Sequence, residues 1–154
     1  MKEITFTWSS DWGNPGNGSM TIYLQPFFDS CTVTEAKKLL GYIRKSNQPE
    51  NVDNLKLWII RRKADCDSMV VALNDKIPLA MKQVKQAEDW VKKVRFTYKP
   101  HKNKNDSDSI RLKIALDEAI RNMKEMKEYL QDIKTDIRKT ERLKDKLIKI
   151  EALM

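Results

Sequence analysis

Near its start the chain alternates apolar and polar residues. Ile4, Phe6 and Trp8 fall on one side and Thr5 and Thr7 on the other, and Met20, Ile22 and Leu24 repeat the pattern. Period two over short runs predicts strands with one buried face. Between them Ser9 to Ser19 holds Gly13, Gly16 and Gly18, three of the 4 glycines of the chain, which predicts a hairpin with a long loop. Two strands alone are marginal in water, so the pair must lie on the helices that follow or on another chain. Phe27 and Phe28, after Pro26, are expected to plug the sheet against the first helix.

From Thr32 the period changes. Thr32 and Glu35 form a capping-box pattern, and Ala36, Leu39, Leu40 and Ile43 follow at i, i+3, i+4 and i+7. This predicts an amphipathic helix ending near Ser46, with Pro49 in the connection. A second helix is expected from Val52 to Leu73, its stripe being Val52, Leu55, Ile59, Cys66, Val70 and Leu73 with Arg62 interrupting. Pro78 suits the first turn of a third helix, whose expected buried face is Met81, Val84, Ala87, Val91 and Val94. The short link predicts that the second and third helices form an antiparallel hairpin. Residues 99–109 have no apolar periodicity and read as a basic exposed loop.

The final segment carries the longest pattern. Leu112, Leu116, Ala119, Met123, Met126, Leu130, Ile133 and Ile137 are spaced alternately by four and three residues, a heptad seam. It continues through Thr140 to Leu143, Leu147, Ile150 and Met154, with two successive steps of three around Thr140. Such a stammer overwinds a coiled coil. As one helix this segment would be roughly 65 Å long, about twice the second helix, so either it breaks near Thr140 or its end projects. A projecting seam of Leu130, Ile133, Ile137, Leu143, Leu147 and Ile150 would be covered most simply by a second copy, which predicts a homo-oligomer. The expected fold is therefore mainly α (α+β). It has a β-hairpin plus three-helix region over 1–98, the loop 99–109, and a long coiled-coil-like helix over 110–154.

Composition sharpens this picture. The chain has 154 residues, 34% of them charged, and Gly 4 and Pro 5 are too few for a turn-rich all-β protein. The net charge is +8. Residues 1–50 carry five of each sign, and all the excess lies after them. A surface of that sign attracts polyanions, acidic protein faces or anionic lipid, although a Lys-rich solvated surface would give the same count.

Several chemistries are excluded or disfavoured. Cys31 and Cys66 form no CxxC pair and His101 is the single histidine, so a four-ligand Cys/His zinc site has too few ligands. His101 sits among lysines in an expected loop, where a triad base would not be oriented. No P-loop, GxGxxG or HExxH is present, and the adjacent carboxylates Asp117 and Glu118 point apart on a helix. No enzyme, cofactor or metal is expected. The opening Met1-Lys2-Glu3-Ile4 has no apolar signal region and no run approaches a membrane span. A cytoplasmic protein with reduced thiols and no membrane role is expected.

The candidate binding residues are three basic clusters: Arg61, Arg62 and Lys63; Lys92, Lys93 and Arg95; and Lys99, Lys102 and Lys104. The latter two are interleaved with Trp90, Phe96 and Tyr98. Lysines neutralise phosphates and aromatics stack on unpaired bases. The competing reading is that Phe96 and Tyr98 close the helical hairpin and the lysines form its wet rim. Trp8 is expected in the core. Trp12, at the start of the glycine-rich loop, suits recognition of a protein partner, unless it folds back on the hairpin.

One local stretch, Thr32-Val33-Thr34-Glu35-Ala36-Lys37-Lys38-Leu39-Leu40-Gly41, resembles the opening helix of MerR-type or excisionase helix-turn-helix proteins. The resemblance implies a turn at Gly41 and a recognition helix soon after. Here Tyr42 and Ile43 continue the helical stripe, so no family function is carried over.

The function these features predict is non-catalytic binding of nucleic acid or a nucleoprotein complex through a basic helical surface. By analogy alone, a phage or mobile-element inhibitor acting by steric occlusion would fit. The rival is a structural or assembly coiled-coil protein with no nucleic-acid role.

Overall fold

A computed structural model of the chain describes residues 1–9 and 18–154. The alternating segments form β1 (Glu3–Trp8) and β2 (Gly18–Tyr23), paired antiparallel with Ile4 opposite Ile22 and Phe6 opposite Met20, but Leu24, expected on the second strand, opens a helix, and Met20, expected on its buried face, is 41% exposed. Four helices follow: α1 (Leu24–Ser30), α2 (Val33–Lys45), α3 (Asn51–Tyr98) and α4 (Ser107–Glu151). A single 3-10 turn, Lys99–His101, lies between the last two. The mainly α architecture with an N-terminal hairpin and a long C-terminal helix is thus present.

The chain divides into two compact units. The first joins Met1–Met69 to Lys139–Met154, and the second is Val70–Arg138.

The first unit holds the larger core. Ile4 and Phe6 on β1, Leu24 and Phe28 on α1, and Ala36, Leu39, Leu40 and Ile43 on α2 are all buried. Leu55, Ile59 and Cys66 from α3 and Leu147 and Ile150 from α4 complete it. Each large apolar side chain removed from water contributes about 1.5–3 kcal/mol before the entropy of ordering it. Phe28 packs edge-on against Phe27 at 5.0 Å and lies 5.6 Å from the Trp58 ring, so the aromatic plug expected after Pro26 is real. It sits on a helix the alternation did not announce. Pro26 falls in the first turn of α1, where its missing N–H would have no partner anyway.

α2 starts and stops where its sequence says. The Thr32 hydroxyl accepts the Glu35 amide at 3.1 Å, and Ser46 caps the C-terminus. Gly41 lies inside α2 and the helix runs on to Lys45. The turn implied by the helix-turn-helix resemblance is therefore not formed, because Tyr42 and Ile43 keep the helical register.

The polar connection after α2 seals the outer edge of β1. Gln48 Oε1 accepts the Thr7 amide at 2.7 Å, the Asn47 amide donates to the Thr7 carbonyl at 2.8 Å, and Asn51 Nδ2 donates to the Thr5 carbonyl at 3.0 Å. These bonds satisfy strand-edge groups that would otherwise be open to pairing with another chain.

The expected hairpin of a second and a third helix does not form. Residues 51–98 are one continuous helix with Pro78 inside it. The reason is the seam. Val70, Leu73, Ile77, Ala80, Val84, Ala87, Val91 and Val94 keep alternating steps of four and three through the supposed turn, and Ala80, Ala87, Val91 and Val94 are buried. Pro78 points outward, while Met81, expected on the buried face, is 55% exposed. The helical hairpin of the second unit is instead made by α3 and α4. Val91 and Val94 pack with Ala119, Leu116 and Met123, and Lys127 pairs with Glu88 at 3.6 Å, so the two helices run antiparallel.

α4 is likewise unbroken at Thr140, which is buried. The seam expected to need a second copy is covered within the chain. Leu147 and Ile150 are wholly buried in the first unit, Leu143 packs against the same core, and Ile133 is 4% exposed in the second unit. Leu130 and Ile137 are half-buried.

Candidate nucleic-acid interface

The second unit ends in a tip: the last turns of α3, the connection 99–106 and the first turns of α4. Asp106 starts α4, its carboxylate accepting the Ser109 amide at 2.7 Å. The Ser109 side chain and amide, with smaller help from His101 and Lys104, hold the Asp106 carboxyl below the ordinary range. Asn103 takes the left-handed conformation, φ 72°, that the reversal requires. The His101 ring is half-buried with Nδ1 unpartnered, and the Lys104 amide donates to its carbonyl at 3.2 Å. The supposed free loop is thus a short folded connection with exposed lysines.

Charge concentrates here. Residues 90–113 hold eight basic and two acidic residues, a net of +6 out of the chain's +8. Lys92, Lys93, Arg95, Lys99, Lys102 and Lys104 are exposed, and none pairs with a carboxylate among the described residues. Arg111 pairs only with Asp108, in a contact at 3.3 Å open to solvent, of little energetic weight.

Phe96 stands in the middle of this charge at 81% exposed, and Trp90 is 56% exposed. The expectation that Phe96 closes the helical hairpin is overturned. It occupies the outer face of α3, while Tyr98, on the seam spacing, is half-buried. Lys92 and Lys93 lie one turn before Phe96 and Lys99 one turn after, the spacing at which helix side chains are neighbours.

The outer face also contains two lysines outside the three basic clusters, Lys82 and Lys85. Lys82, Lys85, Asp89, Lys92, Phe96 and Lys99 follow steps of three and four residues along one side of α3, all exposed. Lys82 and Lys85 have no carboxylate partner among the described residues. The signal was the heptad step itself, applied to charges as well as to apolar residues.

The first basic cluster does not join this surface. Arg62 and Lys63 belong to the first unit and are spent on structure. Arg62 Nη2 reaches Asp29 at 3.1 Å, and Lys63 pairs with Glu151 of α4. Arg61 alone remains exposed and unpaired among the described residues. Trp12 lies outside the described residues.

The two thiols are buried and unbridged. Burial pushes Cys31 and Cys66 up from the ordinary thiol value, against partial opposition from Lys146 and Arg62 respectively. Among the described residues no group of three or more His, Cys, Asp or Glu side chains is placed to hold a metal ion. No helix there is long and apolar enough to cross a membrane.

The chain matches no protein-family model, no curated protein and no solved structure.

Proposed function

We propose that this chain is a non-catalytic binding protein whose α3–α4 tip engages the phosphates of nucleic acid, free or displayed in a nucleoprotein complex. One observation carries the reading: six exposed cations, Lys92, Lys93, Arg95, Lys99, Lys102 and Lys104, crowd a helical tip, and none is in an ion pair with a carboxylate among the described residues. Like charges held this close repel one another and destabilise the tip unless an anion joins them. A polyanion does so and releases its condensed counterions, which supplies the binding free energy. Lysines on a two-helix scaffold also steer association from a distance.

The other reading, a structural coiled coil without a nucleic-acid role, drew its force from an uncovered seam. Leu147 and Ile150 are already covered within the chain, so that force is weakened. A role as a phage or mobile-element inhibitor is taken no further, because no residue of the chain speaks for it.

The test is titration of nuclease-treated protein into labelled DNA and RNA at about 50 and 200 mM salt. Six phosphate contacts should cost about a thousand-fold in affinity across that range. Replacing Lys92, Lys93, Lys102 and Lys104 together with alanine should weaken binding and flatten the salt slope. Absence of binding at the lower salt, or binding indifferent to the four substitutions, would sink the reading.

A further inference from the structure

We infer that the tip is built for single-stranded nucleic acid, with Phe96 as the platform on which an unpaired base stacks. The inference rests on the phosphate-binding reading above and deepens it by naming the strand form.

The outer face of α3 sets the argument. Opposite a buried seam a helix ordinarily carries charged or polar side chains, and Lys82, Lys85, Asp89, Lys92 and Lys93 obey that rule. Phe96 breaks it, at 81% exposed. An aromatic ring left in water has no packing role in the fold. Its neighbours one turn away are Lys92, Lys93 and Lys99, all unpaired among the described residues. A strand whose phosphates follow these lysines passes over the ring.

The strand form then decides whether Phe96 gains anything. A duplex presents sugar and phosphate on its outside and keeps its bases stacked inside, so the ring would be pressed against polar groups with no apolar contact in return. A single strand can turn a base outward, and every base has a face that stacks on an aromatic ring regardless of sequence. From Lys82 to Lys99 the lysine row runs about 25 Å along the helix, long enough to hold several phosphates. The contacts offered are charge and one ring, with no set of side chains arranged to read base edges. The expected recognition is therefore of strand form rather than of sequence.

The test compares wild type, Phe96→Ala, Phe96→Trp and the triple variant Lys92→Ala/Lys93→Ala/Lys99→Ala. Each is titrated into a labelled single strand and into the duplex of the same length, in DNA and RNA. Phe96 supports no core contact, so the helical circular-dichroism signal and melting temperature of Phe96→Ala should match wild type. Wild type should prefer the single strand. Phe96→Ala should lose roughly five- to 150-fold in single-strand affinity and leave duplex binding unchanged, while Phe96→Trp keeps the preference. The lysine triple should weaken both forms. Equal loss on both forms, or no loss on either, overturns the inference while the phosphate-binding reading stands. Phe96-dependent association with anionic phospholipid vesicles, without single-strand preference, overturns it in favour of a lipid surface. If wild type binds neither form, the underlying reading fails first.

Discussion

Arg62 reaches Asp29 across the first unit. Its Nη2 lies 3.1 Å from one carboxylate oxygen and 3.4 Å from the other, and its Nε is buried with no partner. Arg62 takes a seam position of α3, between Ile59 and Cys66, where an apolar residue is expected. Asp29, near the end of α1, is what makes a cation tolerable there. The pair ties the short helix to the long one.

Removing Asp29 therefore strands a guanidinium already short of partners. Asp29→Ala should lower stability by about 1–3 kcal/mol, the cost of leaving a part-buried charged donor unmatched. Chemical denaturation of the two proteins checks it. Replacing both residues, as Asp29→Ala with Arg62→Met, should recover much of the loss, because the buried charge goes with its partner.

Gly18 faces the Trp8 ring so closely that a Cβ there would fall among the ring atoms. Gly18→Ala must push the indole off the hairpin. A loss of about 1–3 kcal/mol is expected, as for overpacking elsewhere, together with a change in tryptophan fluorescence. An unchanged melting midpoint would contradict this placement.

Pro78 stands on the outer side of a helix whose inner side is apolar from Cys66 to Val94. It removes one backbone hydrogen bond and crowds the preceding turn, at a cost of about 3 kcal/mol in a helix interior. Pro78→Ala should raise the melting temperature and the helical signal. A fall in either would mean the proline is needed where it is.

The hairpin strands, α2 with its Thr32 cap, and the α4 seam were legible because one local pattern decided each. The continuity of α3 was not, because Pro78 is a strong helix-breaking signal inside an apolar spacing that runs straight through it. Val70, Leu73, Ile77, Ala80 and Val84 keep heptad steps, and a continuous apolar seam outweighs one missing hydrogen bond. α1 escaped notice because seven residues are too few to display a period. At the tip, the lysines were legible as charge. Their freedom from partners was not, and neither was the loss of Arg62 and Lys63 to ion pairs, since both depend on which helices meet.

The thiols offer a further check. Burial raises both Cys31 and Cys66, so little thiolate exists at neutral pH, and thiolate is the reactive form. A thiol reagent at pH 7 should modify neither residue in the native protein and both in denaturant. Rapid labelling of the folded protein would show that one of them opens.

Two charges give opposite pH limits. The lowered Asp106 contributes stability that is present above the ordinary carboxyl value and is lost as pH falls through its depressed folded value. Asp106→Asn keeps a capping side chain and should blunt the acid fall in melting temperature. Lys144, raised chiefly by its hydrogen bond to Asp67, contributes stability that is present below the ordinary lysine value and is lost as pH rises through the raised one. Lys144→Met should blunt the alkaline fall. Melting curves from pH 3 to 11 for the three proteins separate the two ends.

The division of the chain also bears on the order in which the protein is made. The first core needs Leu147 and Ile150 beside Leu55 and Ile59, so a nascent chain that has reached only Arg138 cannot close it. What can form without Leu147 and Ile150 is the α3–α4 hairpin of the second unit, whose contacts are local along the chain and therefore fast. Zipping that hairpin from its tip shortens the distance the last residues must search, and the closure entropy of the long loop is met step by step. Until those residues arrive, the apolar faces of β1, α1 and α2 share a core that still lacks Leu147 and Ile150.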